Sequence, residues 1–222
     1  MEKSDIINQL NRKHGFRRHL EISTLTTGRD FAKVDAAQLD LKDRLAYRWP
    51  DDHSDGEPVD FSTPGPASHP LVKTLLDEGR SYDSIFVDPY HSYACSHVDL
   101  SGAFALLQPG GVMVVHDCGP TNPEMLCPEY KEGFWCGLTY AAFIDFTLGR
   151  RDLSYYTVDC DYGCGVIYKQ RILLPYPSTE EWAQLLFGWD IARHDDDTRL
   201  QFYLDHRTEL LNLISADEFN RL

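Results

Sequence analysis

An α/β fold, Rossmann-like and doubly wound around a mostly parallel sheet, is predicted by three features of the sequence. From residue 70 onward, short β-rich apolar runs alternate with amphipathic helical stretches. The run 112–115 is apolar throughout, as suits a strand buried on both faces. The last two runs are joined by only residues 159–162, so they pair as an antiparallel hairpin at the end of the sheet. A helical C-terminal tail follows.

The elements are justified in order. Residues 4–13 carry Ile6, Ile7 and Leu10 at helical spacing, with Ser4 as the N-cap. Residues 18–23 read as the first strand, running into a small-residue turn at 24–28. Residues 41–49 suit a strand or a helix equally. Residues 50–70, rich in Pro, Gly, Asp and Ser, read as loop, with a short strand at 59–61. A helix over 69–79 places Leu71, Val72, Leu75 and Leu76 on one face. Residues 82–87 form a strand ending at Asp88. Residues 94–107 form a helix stopped by Pro109-Gly110-Gly111, and the strand 112–115 ends at His116-Asp117. Residues 118–133 are irregular, with Pro120, Pro123 and Pro128, and 138–148 are helical. The hairpin strands are 153–158 and 163–168, and Pro175 and Pro177 close the unit. In the tail, Ser178 with Glu181 and Ser215 with Glu218 fit capping boxes, and Asp195-Asp196-Asp197 falls in a polar turn or at a helix start. The expected division is an α/β domain over 1–175 and a helical extension over 176–222.

Composition narrows the function. The chain has 222 residues and a formal charge of −14, which argues against nucleic acid or an anionic membrane as partner. The N-terminus has no apolar leader pattern, so the protein is expected in the cytoplasm. Six cysteines without a C-x-x-C pair read as reduced thiols rather than a zinc site. In the tail, Leu185, Leu186, Phe187 and Trp189 cluster densely, and are expected to pack on the domain or on a second copy in a homo-oligomer.

In open α/β sheets, ligands bind beyond the carboxyl ends of the strands. The polar residues there are Glu21, Ser23 and Thr24 after the first strand, Asp88 with His91 after the central one, and His116-Asp117 after the next. Each has a structural alternative: Asp88 as a helix cap, Asp117 as a turn cap, His91 as a loop histidine. Two aspartates and two histidines at adjacent strand ends favour a site, because carboxylates and imidazoles hold a divalent metal or move a hydroxyl proton. The turn 23–28, ending at Gly28, offers backbone N–H groups or is a plain Ser/Thr turn. Trp135, Gly137 and Tyr140 form either an aromatic wall over the site or packing on the sheet. Asp159 and Asp161 most simply make the hairpin turn.

These residues resemble a known family. Residues 82–93 (YDSIFVDPYHSY), then Asp99-Leu100, residues 106–112 (LLQPGGV) and Val115-His116-Asp117-Cys118 are similar to class I S-adenosylmethionine-dependent methyltransferases. The nearest branch accompanies glycan and natural-product biosynthesis and reads D-x-h-H-x-Y after one strand and L-x-P-G-G … H-D around the next. Trp135-Cys136-Gly137 and the hairpin 156–168 also look like that branch. The likeness is dense from about residue 80 to 168, thinner over 17–63, and absent after 175.

The resemblance implies S-adenosylmethionine as donor, near Glu21, Ser23, Thr24, Gly28 and Asp88. It implies a hydroxyl acceptor, on a glycan or natural-product precursor, approaching the catalytic residues His91, His116 and Asp117. Some relatives hold a divalent cation such as Mg with aspartates that match Asp88 and Asp117. The family's donor loop reads E-x-G-x-x-x-G. Here Glu21 is kept, Ser23 stands at the first glycine, Thr27-Gly28 near the second, and Trp49 at the expected ribose-binding acid, with Asp51 nearby. This degenerate loop implies weaker donor binding. Two other classes use the same residues: an iron site of His91, His116 and one Asp for oxygen chemistry, and a non-catalytic binding or scaffold domain.

Overall fold

The computed structural model describes residues 1–24, 29–47, 70–172 and 179–222. The strands are β1 (Arg18–Thr24), β2 (Leu41–Tyr47), β3 (Tyr82–Asp88), β4 (Leu107–Val115), β5 (Ser154–Val158), β6 (Cys164–Tyr168) and β7 (Leu213–Ile214). The helices are α1 (Lys3–His14), α2 (Arg29–Lys33), α3 (Pro70–Asp77), α4 (Tyr93–Leu106), α5 (Thr139–Thr147), α6 (Thr179–Ala192), α7 (Asp196–Leu210) and α8 (Ala216–Phe219). Residues 25–28, the 50–69 loop with its 59–61 strand, Trp49, Asp51, Pro175, Pro177 and Ser178 fall outside the described residues.

The strands form one sheet in the order β2-β1-β3-β4-β6-β5-β7. The pairs β2–β1, β1–β3 and β3–β4 are parallel, and the hairpin β5–β6 joins antiparallel to β4. This is the predicted α/β architecture, with β3 and β4 adjacent at the centre. Alternation along these two strands splits the core. Ile85, Val87, Met113 and Val115 pack toward Leu100, Ala103 and Phe143 of α4 and α5. Phe86, Val112 and Val114 pack toward Ile6, Ile7 and Leu10 of α1 and Phe219 of α8. Both faces are therefore covered, which is why the central strands read as continuous apolar runs.

Several element boundaries move. The N-cap of α1 is Glu2, not Ser4: Glu2 and Asp5 form a reciprocal capping box, and Ser4 is buried inside the helix. Leu71 does not join the buried face of α3; it is exposed, and Val72 alone is fully covered. Helix α4 is not stopped by Pro109-Gly110-Gly111. Leu107 is already extended, and the Pro-Gly-Gly lies within β4 where the pairing with β3 shifts register. Gly111 is needed there because a Cβ would meet the Asp83 carbonyl at 2.7 Å.

The tail does more than add helices. Asn212, in left-handed backbone at φ 44°, turns the chain after α7, and β7 then pairs with β5 as an edge strand. Asp195 caps α7 by accepting from the Thr198 N–H at 2.9 Å, and Ser215 with Glu218 forms the predicted capping box. Of the dense tail cluster, Leu185 and Trp189 are buried, but Leu186 and Phe187 face outward. Among the described residues, no helix is long and apolar enough to cross a membrane.

Candidate functional site

Asp88 is the last residue of β3, and His116 and Asp117 follow the last residue of β4. Parallel pairing of Val87 with Val115 therefore brings the two aspartates to the same end of the sheet. His91 reaches them from the short link before α4. The helix itself is capped by Ser92, whose hydroxyl accepts from the Cys95 N–H, so Asp88 is not a cap. Asp117 has a left-handed φ of 58°, uncommon for a non-glycine residue. Its carboxylate takes three partners instead of capping a turn: His91, His116 and the Cys136 thiol, which donates at 3.3 Å.

The four side chains converge. His91 Nε2 lies 2.9 Å from Asp117 Oδ2 and 3.9 Å from Asp88 Oδ1. His116 Nδ1 lies 3.1 Å from Asp117 Oδ2 and 3.4 Å from Asp88 Oδ1. Asp88, His116 and Asp117 place one ligand atom each within 4.8 Å of one another, a set with the composition of a divalent-cation site.

The tautomer of His91 follows from its partners. Its Nδ1 hydrogen-bonds the Trp135 carbonyl, which can only accept, so Nδ1 carries a proton. Nε2 faces carboxylates and carries a second one. Burial opposes this charge, but Asp117 and Asp88 outweigh it and raise the His91 pKa to about 9. Burial would likewise raise both aspartates. The charge and hydrogen bond of His116, joined by His91, instead hold Asp88 and Asp117 well below the usual carboxylate range. At His116, burial opposes charging and the carboxylates favour it. Asp117, Asp88 and Asp161 outweigh burial and raise the His116 pKa well above its ordinary value, and the Lys3 Nζ lies 3.2 Å from its Nε2.

Three further residues complete the cluster. Lys3, at the start of α1, also lies 3.5 Å from Asp30 and 3.6 Å from Asp161. Asp161, at the β5–β6 turn, is 3.5 Å from His116 Nε2. Nothing local in the sequence marks Lys3 or Asp30. Asp161 was legible in principle: a hairpin antiparallel to β4 must turn at the carboxyl end of β4. Trp135 is buried beside His91, its ring centroid 5.4 Å from that of the imidazole. Gly137 lets the chain pass the His91 carbonyl, which a Cβ would meet at 2.2 Å. Tyr140 forms no wall over the site; it packs in the core against Tyr203.

The expected donor residues lie one strand away. Glu21 is fully buried; its Oε1 accepts from the Ser23 hydroxyl at 2.7 Å and from Arg44 Nε at 3.0 Å. Ser23 pairs in register with Asp88, and the Thr24 carbonyl accepts from Arg44. The Ser23 side chain is thus turned onto Glu21 and Arg44. Glu21 Oε2 is buried without a partner among the described residues, and burial raises the Glu21 pKa. Gly28 lies outside the described residues.

No protein-family model matches the chain, and no curated protein sequence does. Solved structures do. Cofactor-bound Rv0187 from MTB matches with a TM-score of 0.50 at 14% identity, over 76% of this chain and 80% of that one. The O-methyltransferase TomG from Streptomyces achromogenes, in complex with SAM, matches at 0.47 and 15%, over 76% and 80%. The methyltransferase MycE, in complex with Mg, SAH and mycinamycin VI, matches at 0.42 and 13%, over 82% and 52%. At these identities the shared feature is the methyltransferase-like α/β fold.

Proposed function

We propose that the chain is an S-adenosylmethionine-dependent O-methyltransferase acting on a small-molecule hydroxyl, of a glycan or natural-product precursor. The observation that carries this reading is the convergence of Asp88, His91, His116 and Asp117 at two neighbouring parallel strand ends. Ligands of open α/β sheets bind at that edge.

The residues fit the donor in one testable respect. Glu21 Oε2, without a partner among the described residues, offers an acceptor, with the Asp88 carboxylate one strand away, for the hydroxyl and ammonium donors of an aminoacyl nucleoside. When bound, that donor supplies a methyl group on a positively charged sulfur. The chain's own part is positioning and proton handling. His91, with Nδ1 committed to the Trp135 carbonyl, exchanges protons only through Nε2, beside Asp117. In its neutral form it accepts the acceptor's hydroxyl proton there. Asp88 and Asp117, with His116 beside them, would hold a divalent cation, whose chemistry is to make a hydroxyl more acidic. Among the described residues, the carboxylates of Asp88, Asp117 and Asp161 lie beside Lys3 or the two imidazoles, and Asp30 lies beside Lys3 and Lys33.

Calorimetry with S-adenosylhomocysteine tests the reading. The folded protein should bind it, and Glu21→Gln should weaken binding about tenfold, the loss of one charge-assisted hydrogen bond. A folded protein that binds neither donor nor product is instead a non-catalytic binding domain.

A further inference from the structure

Each imidazole of the site has a ring neighbour. Trp135 lies against His91, with centroids 5.4 Å apart, and Tyr162 stands edge-on to His116 at 6.4 Å. Phe134 joins the two sides: it precedes Trp135 in the chain, and its ring is 6.0 Å from that of Tyr162. The rings form an arc from one imidazole to the other. Trp135 is buried, but Phe134 is 75% exposed and Tyr162 39%. A single exposed hydrophobic side chain is ordinary. Here two large rings lie open together, and one of them touches a buried polar cluster. Both stand on fixed backbone. Just after Phe134, the Cys136 and Gly137 N–H groups donate to the Met125 carbonyl at 2.9 Å each, and Trp135 Nε1 donates to the Cys127 carbonyl at 2.8 Å. At the β5–β6 turn, the Tyr162 carbonyl accepts from the Gly119 N–H at 2.9 Å, and the Gly163 N–H donates to the Cys160 carbonyl at 2.8 Å. Tyr162 is held at φ 60°, where a bulky side chain is strained and a glycine is not. The turn therefore keeps its ring at a cost to the fold, as residues that meet a ligand do.

We infer that Phe134 and Tyr162 are the binding face for the acceptor, and that they take a flat aromatic ring carrying its hydroxyl at one edge. Such a ligand narrows the proposed reaction, on which the word acceptor rests. The chemistry of the arc is divided. Its inner end holds the imidazoles and carboxylates, which exchange protons and hydrogen bonds. Its open end is the face of Phe134, which has neither donor nor acceptor. A planar ring covers that face by offset stacking or edge contact, and a hydroxyl on its edge then points along the arc toward His116. A sugar fits this division poorly. Its hydroxyls surround the ring, so those laid on Phe134 lose water and gain no partner. Because both open rings are already fixed by the backbone bonds around them, binding orders little of the protein.

The test is an NMR titration of the full chain with 2-naphthol, a flat ring system with one edge hydroxyl, and separately with methyl glucoside. Binding of 2-naphthol should saturate and shift the His116 ring protons, and methyl glucoside should do neither. Phe134→Ala should weaken 2-naphthol about tenfold, the scale of one lost aromatic contact with its buried area, and Phe134→Tyr should keep the affinity. Tyr162→Gly should weaken it about as much, while its denaturant midpoint stays at or above the parent's because the strained φ is relieved. A tyrosine kept for packing alone would lower that midpoint and leave the affinity unmoved. No saturable binding by the parent, parent-like affinity in Phe134→Ala or Tyr162→Gly, or tighter binding of methyl glucoside would overturn the inference. None of these readouts uses the methyl donor. A chain that takes 2-naphthol but not S-adenosylhomocysteine loses the proposed reaction and keeps the ring site, and the converse result removes the ring site alone.

Discussion

At Asp117 one carboxylate oxygen serves two imidazoles, at 2.9 and 3.1 Å. Removing that charge while keeping the shape isolates its role. In Asp117→Asn the His91 pKa should fall from about 9 toward the ordinary histidine value, because Asp117 is the largest influence raising it. Proton NMR of the imidazole checks this, and an unshifted His91 would mean that Asp88 alone holds the charge. Gly137 offers a second residue-scale test. With φ at 53° and the His91 carbonyl 2.2 Å from any added Cβ, Gly137→Ala should cost about 1–3 kcal/mol and displace His91. Denaturant unfolding measures the cost, and a parent-like midpoint would refute the close approach. The aspartates and histidines were legible because polar residues stood at the ends of apolar runs. The partner that fixes the His91 tautomer was not, since a backbone carbonyl has no signature in residue type.

At the scale of elements, α4 is tied to the end of β2 by a buried polar pair. The Tyr47 hydroxyl donates to Asp99, and the Tyr90 N–H donates to the Tyr47 oxygen at 2.9 Å. Burial raises the Asp99 pKa to about 7, with the Tyr47 bond opposing. The folded chain then holds a proton that the unfolded chain, near 3.8, has released. This contribution to stability is full below pH 3.8 and is lost as pH rises toward about 7. Asp99→Asn should remove that slope: stability relative to the parent should rise between pH 4 and pH 7, by denaturant melts at each pH. A constant difference across the window would show that Asp99 is ionised in the fold. The element also explains why residues 41–49 were ambiguous. Strand β2 is half-covered along most of its length, so its apolar residues do not alternate cleanly.

At the scale of the whole molecule, the tail is part of the core. Leu185, Trp189, Tyr203, Leu210 and Leu211 are all buried with the main cluster, and the Tyr203 hydroxyl donates to the Pro120 carbonyl at 2.9 Å. Arg207 adds bonds to the Gly119 carbonyl, so the tail braces the segment that follows Asp117. Deleting residues 178–222 should therefore give aggregation rather than a soluble α/β domain. A soluble truncated chain with the parent's melting temperature, by light scattering and calorimetry, would contradict this packing.

The sequence by itself determined the alternation of strands and helices, the central pair β3–β4, the terminal hairpin, and the strand-end positions of Asp88, His116 and Asp117. These follow from local burial period and from breaker residues, which each short segment carries on its own. Only the tertiary structure decided what meets them. Lys3 reaches His116 across 113 residues, and Asp161 arrives through the hairpin turn. Whether Pro109-Gly110-Gly111 ends a helix or opens a strand was likewise settled by the register of β4 on β3. Composition cannot encode such pairings. They are fixed by which faces pack together once the whole chain is buried, and the chemistry of the site depends on those distances.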